Sequence, residues 1–148
     1  MHYNETKWMV KKEDAMKRIG IYHYQYYRGA CKICYRHFIS EMLQSYEECH
    51  QVAMGIYGED VEFLHYTDFG QYDSDSTDRP SFHRMEEAVD KGELDVLMCY
   101  VLNNITTNEK ELVRLYKKVR GLGMDFITAK HGLDAMKYID LFIEKNGM

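Results

Sequence analysis

The stretch Asp95–Gly121, DVLMCYVLNNITTNEKELVRLYKKVRG, restricts the fold more than any other part of the chain. An apolar run, Val96–Leu102, breaks at Asn103-Asn104. Polar Thr106, Thr107 and Asn108 follow, and Leu112, Leu115, Tyr116 and Val119 then recur at helical spacing. The pattern predicts a strand buried on both faces, a turn, and a helix opened by a polar capping residue. A strand buried on both faces belongs in a sheet covered by helices. In such a sheet, chemistry is placed at the carboxyl ends of the strands. Here that place holds amides and hydroxyls instead of charges.

The rest of the chain fits the same plan. Arg18–Tyr27 reads as a first strand, with β-favouring tyrosines after Ile19 and Ile21. Arg28-Gly29-Ala30 is a loop, and Lys32 to about Met54 is a helix striped by Phe38, Ile39, Met42, Leu43, Tyr46, Cys49 and Ala53, with Gly55 as its stop. Val61–Tyr66 is a second strand. Thr67–Arg79, rich in Asp, Ser, Thr and Gly, reads as a long loop. Pro80 opens a helix at its first turn, striped by Phe82, Met85, Ala88 and Val89 and closed by Lys91-Gly92. Gly121 and Gly123 end the next helix, Met124–Thr128 is a short fourth strand, and Leu133–Lys145 is a last amphipathic helix. Strands alternating with helices predict an α/β fold with a largely parallel sheet. With 148 residues there is room for one domain with a real core. The expected division is an N-terminal extension, 1–17, and a domain, 18–148.

The net charge of −5 sits badly with a general nucleic-acid binder. Acids outnumber bases from Glu59 to Asp95, and bases outnumber acids from Lys7 to His37. Arg114, Lys117, Lys118 and Arg120 form a small basic cluster, read as a solvated face. No apolar run reaches the roughly 20 residues that cross a bilayer, and the N-terminus lacks a signal-type apolar core. The expected location is the cytoplasm, where cysteines stay reduced.

Several chemistries are tested by spacing. Cys31-x-x-Cys34 has the spacing of a redox pair, which alone is weak evidence. Cys31, Cys34, His37, Cys49 and His50 offer zinc ligands, but two ligand pairs more than four turns apart on one helix do not meet at one tetrahedral ion. Cys49 also falls on the apolar stripe, and Cys99 lies in a buried strand. Phosphate-loop motifs are absent, as is the GxSxG elbow that would turn His65, Asp68 and a serine into a triad. Ser74, Ser76 and Ser81 read as solvated loop serines. No cofactor and no metal are expected.

Three segments carry a resemblance: Ile19–Tyr26 (IGIYHYQY), Tyr66–Met85 (YTDFGQYDSDSTDRPSFHRM) and Gly92–Ile127. In order and spacing they resemble the catalytic domain of the serine recombinases, the resolvase and invertase family, over roughly residues 18–146. The resemblance implies a three-layer α/β/α domain with a mostly parallel, four- to five-stranded sheet. It also implies DNA strand exchange, in which a serine attacks a phosphodiester and arginines stabilise the charged transition state. Residue by residue, the family's Y-x-R-x-S places Tyr22 on the tyrosine, Tyr24 on the arginine and Tyr26 on the serine. Its L-D-R-L-S-R places Leu102 on the leucine, Asn103 on the aspartate, Asn104 and Thr107 on the two arginines, and Thr106 on the serine. Arg79, before the proline, is the matching charge.

The resemblance therefore implies a degenerate site. Tyr26 is a possible substitute nucleophile, but its phenol is longer than a serine and the supporting arginines are gone. Full-length family members continue into a dimerisation helix and a DNA-binding domain, and the chain is expected to have neither beyond Met148. The expected role is a dimerisation or regulatory module. Its expected partner is a second copy, or an active recombinase, held through Leu133–Lys145, with weak binding to DNA. The alternatives are an active strand transferase with altered residues and a small CxxC redox or metal protein.

Overall fold

The computed structural model describes residues 16–26, 32–70 and 79–148. Four strands form one sheet: β1 (Lys17–Tyr26), β2 (Val61–Gly70), β3 (Val96–Cys99) and β4 (Asp125–Thr128). They lie in the order β2-β1-β3-β4, and every neighbouring pair is parallel. Four described helices connect and follow them: α1 (Lys32–Tyr57), α2 (Pro80–Asp90), α3 (Glu109–Gly121) and α4 (Asp134–Asn146).

Strand alternation divides the core in two. Ile19, Ile21, Val96, Met98 and Ile127 face Tyr46, Cys49 and Ala53 of α1. Tyr22, Tyr24, Leu97, Cys99 and Phe126 face the other way, onto Phe82, Met85 and Val89 of α2 and Leu115, Tyr116 and Val119 of α3. Ile139 of α4 joins that second layer, so helices cover both faces of the sheet. Each fully buried aliphatic side chain contributes roughly 1.5–3 kcal/mol. The start of β3 is tied to β1 by Arg18, whose backbone amide and guanidinium both donate to the Asp95 carboxylate at 2.8–3.2 Å.

The expected α/β/α plan is the observed one, with three changes of boundary. Thr67–Gly70 is strand, not loop, because β1 pairs along its whole length, matching Tyr24 to Asp68 and Tyr26 to Gly70. The long loop expected over Thr67–Arg79 shrinks accordingly, and residues 71–78 lie outside the described residues. Helix α1 runs through Gly55 to Tyr57, and the left-handed glycine is Gly58, at φ 85°. The extra turn brings the Tyr57 hydroxyl to Asp125, to which it donates at 2.6 Å. Finally, β3 ends at Cys99, not Leu102, because its pairing with β1 stops there and Leu102–Asn104 coils into a 3₁₀ turn. The expected loop Arg28-Gly29-Ala30 lies outside the described residues.

Candidate functional site at the carboxyl end of the sheet

The carboxyl ends of β1, β2 and β3 bring polar groups together beside the start of α2. Helix α2 begins with Arg79 as cap residue and Pro80 in its first turn, and the Arg79 side chain does not cap it. The free amides of that first turn still need an acceptor. Asp68, at the end of β2, supplies it. Its Oδ1 accepts from the Ser81 N–H and its Oδ2 from the Phe82 N–H, both at 2.9 Å. The same carboxylate accepts from the Tyr22 hydroxyl at 2.7 Å and is buried. Burial, reinforced by that bond to Asp68, pushes the Tyr22 hydroxyl well above its ordinary value. Tyr22 is therefore a poor nucleophile at neutral pH.

Arg79 is fully buried, with no accessible surface. Its guanidinium carbon lies 4.4 Å from the Tyr24 ring centroid, 5.4 Å from Tyr22 and 5.7 Å from Phe82. One guanidinium nitrogen donates to the Ile105 carbonyl, just past the 3₁₀ turn. Aromatic rings and a backbone carbonyl thus hold the cation, as weak guanidinium hydration favours.

The remaining sequence-predicted positions lie elsewhere. Asn104 folds its side chain back, accepting from the Val101 N–H at 3.2 Å, and lines a cleft with His23 and Gln25 on the α1 side of the sheet. Asn103 and Thr107 are exposed and line a groove of about 290 Å³ against Tyr138, Ile139 and Phe142 of α4. Thr106 is buried and accepts from the Asn108 N–H at 3.0 Å. Asn108 in turn caps α3, accepting from the Glu111 N–H at 3.2 Å. Tyr26 ends β1, and its side chain lies outside the described residues. Among the described residues, Tyr24 meets Arg79, Asn103 and Thr107 share one groove, and Asn104 lies on the other face of the sheet.

Asp68 is the residue that sequence reasoning placed in a loop and weighed only as the acid of a triad. A signal for it was present: a helix opening Arg-Pro-Ser has no good cap of its own, so an acidic residue must come from a neighbouring element.

Several charges of α2 and α3 are engaged with one another. Arg114 and Lys118 both bind Glu86 of α2, at 2.7 and 2.6 Å, and Lys118 also binds Asp90 at 3.0 Å. Arg120 pairs with Asp125 at 3.3 Å. Glu109 and Glu111 stand in the first turn of α3, where they oppose any anion approaching that helix end. Cys49 and Cys99 are buried free thiols, and burial pushes the Cys49 thiol up to about 12. No group of three or more metal-ligating side chains occurs among the described residues. Cys31 and the side chain of Cys34 lie outside them. Among the described residues, no helix is long and apolar enough to cross a membrane.

A parallel α/β domain with its polar residues at the carboxyl ends of β1, β2 and β3 has the fold of the serine-recombinase catalytic domains. The N-terminal catalytic domain of TP901-1 integrase is similar to it, at 17% identity and a TM-score of 0.59, over 89% of this chain and all of that one. The C-terminal catalytic domain of ISC1926 TnpA, an IS607-like serine recombinase, is 12% identical with a TM-score of 0.57, over 84% of this chain and 77% of that one. A resolvase family site-specific recombinase from Streptococcus pneumoniae is 15% identical with a TM-score of 0.54, over 88% and 89%. The family model for the resolvase N-terminal domain matches residues 40–145, and the chain belongs to that family. No curated protein sequence matches it.

Proposed function

We propose that this chain is a catalytically degenerate member of the resolvase family, which acts as a dimerisation or regulatory module instead of cutting DNA. The burial of Arg79 carries the reading. A guanidinium that stabilises a phosphoryl transition state must reach the phosphate oxygens. This one is fully buried, stacked on Tyr24 and bonded to the Ile105 carbonyl. The nearby charges reinforce the point. Glu109 and Glu111 at the start of α3 add negative charge beside that layer. Removing one transition-state donor of this kind costs roughly 10²–10³ in rate, and the alignment replaces several.

Helix α4 fits the module role. It buries Ala135 and Ile139 inward and leaves Leu133, Tyr138 and Leu141 about half exposed. With the adjoining groove they offer an apolar surface to a second copy or an active recombinase. A suicide DNA substrate tests the catalytic half: no covalent protein–DNA band is expected, and a band lost in Tyr26→Phe would overturn it. Sedimentation at high concentration tests the other half, with a concentration-dependent dimer weakened by Leu141→Glu as the expected result. A strict monomer that also ignores active recombinase would overturn that half.

A further inference from the structure

A second recess lies on the α1 side of β1 and plays no part in the reading above. It is a cleft of about 290 Å³ between α1 and the carboxyl ends of β1 and β3. His23 lies at its base. The ring is 95% buried, since only 5% of the residue is exposed, and neither ring nitrogen has a hydrogen-bond partner among the described residues. Phe38 and Tyr46 hold the ring, at centroid distances of 6.2 and 5.9 Å. Buried polar groups are nearly always paired, so a histidine with open nitrogens in a cleft wall offers a hydrogen-bonding place to a ligand. Burial also disfavours the imidazolium, so the ring offers one donor and one acceptor.

The walls give the sign of the ligand. Glu41 and Glu48 line the cleft with Gln44 between them, and no lysine or arginine among the described residues does. Glu48 is hydrogen-bonded to Tyr100 across the cleft, and Glu41 meets His37 at 2.9 Å on its outer, exposed side. A phosphate or carboxylate ligand would face two carboxylates. A metal ion is not provided for, since no group of three or more metal-ligating side chains occurs among the described residues. Glu41 and Glu48 stand seven residues apart on one face of α1, about 10 Å along its axis. The volume lies at the small end of the usual range for ligand sites. We propose that this cleft binds a linear aliphatic polyamine, with its terminal ammonium groups on Glu41 and Glu48 and one N–H donated to His23.

Spermidine is the probe. Calorimetric titration at low salt, together with the side-chain nitrogen signals of His23, should give one molecule per chain and a saturable shift at that ring. The pair Glu41→Gln and Glu48→Gln, two half-buried residues of the cleft wall, should weaken binding at least about tenfold. Asp134→Asn, which removes an acid on α4, should leave it unchanged. His23→Phe, checked for an intact melting transition, should weaken binding without changing the stoichiometry. Three results would each overturn the proposal: no saturable shift at His23, equal weakening by Asp134→Asn and the double variant, or several weak molecules bound per chain. The last two describe only attraction of a cation to a negative protein.

Discussion

The Arg79 guanidinium stacks 4.4 Å above the Tyr24 ring, and the two residues come from β1 and from the cap of α2. The pattern read from the sequence sets both on expected arginine positions of the family. Here one cation and one aromatic ring pack together and link three segments: the end of β1, the start of α2, and the turn after β3 through the Ile105 carbonyl. A contact of that kind serves the fold.

Arg79→Ala should therefore act on stability. It leaves a large cavity among Tyr22, Tyr24 and Phe82 and frees the Ile105 carbonyl. The expected loss is about 3 kcal/mol in urea unfolding, as for other large-to-small core changes. Retention on duplex DNA should not change. A variant with wild-type stability and lost DNA retention would return Arg79 to a phosphate-binding role.

Asp68 should be equally structural. Asp68→Ala removes the acceptor for two first-turn amides and for the Tyr22 hydroxyl, and about 2–4 kcal/mol should be lost. Tyr22→Phe should lose only about 1 kcal/mol, because it deletes a donor while Asp68 keeps its two amides. In the double variant Tyr22→Phe should add little to Asp68→Ala, and a double-mutant cycle in chemical denaturation measures that coupling. Simple additivity would mean that Tyr22 and Asp68 do not act as one unit.

Much of this was legible in the sequence. The element order and apolar stripes follow from periodicity, and Pro80 marked the start of α2. What was not legible depended on partners distant in sequence. Thr67–Gly70 has a loop composition, yet β1 supplies an unbroken pairing edge for it. Carrying family positions along the chain fixed where the candidate residues fall, but not which face each would meet. Alternation in β1 sends Tyr22 and Tyr24 to the α2 layer and His23 to α1. The 3₁₀ turn then sends Asn104 to one side and Asn103 and Thr107 to another. Turn geometry of that sort is set by packing, and no residue type announces it.

Three histidines contribute to the acid response near pH 6. The Nε2 atoms of His50 and His65 lie 2.8 Å apart, so at least one ring must be neutral. Burial comes first in lowering the proton affinity of both, and of His23, from the ordinary 6.5. A base with a lowered folded pKa binds more protons when unfolded, so its penalty grows as the pH falls below about 6.5. The melting temperature should be flat from pH 8 to 7 and should fall from pH 6.5 downwards. His65→Gln, which breaks the pair, should flatten that fall. An unchanged profile would exclude the pair as its source.

Glu86 decides whether the basic residues of α3 can meet a polyanion. It is largely buried between α2 and α3 and takes both Arg114 and Lys118. The hydrogen bond from Arg114, then that from Lys118, holds its carboxyl down at about 2 against the opposing effect of burial. Its folded value lies below the ordinary 4.5, so the stability it adds is present above that value and is lost as the pH falls towards 2. At neutral pH, Glu86→Gln should cost about 1 kcal/mol, since the cations are partly exposed and screened. The same change removes one negative charge beside Arg114, Lys117, Lys118 and Arg120, while Arg114 keeps Glu111 and Lys118 keeps Asp90. Elution from a heparin column should then shift modestly to higher salt, because the basic cluster loses one of the carboxylates that oppose a polyanion. If the variant elutes with the wild type, Glu86 is not what keeps the cluster from a polyanion.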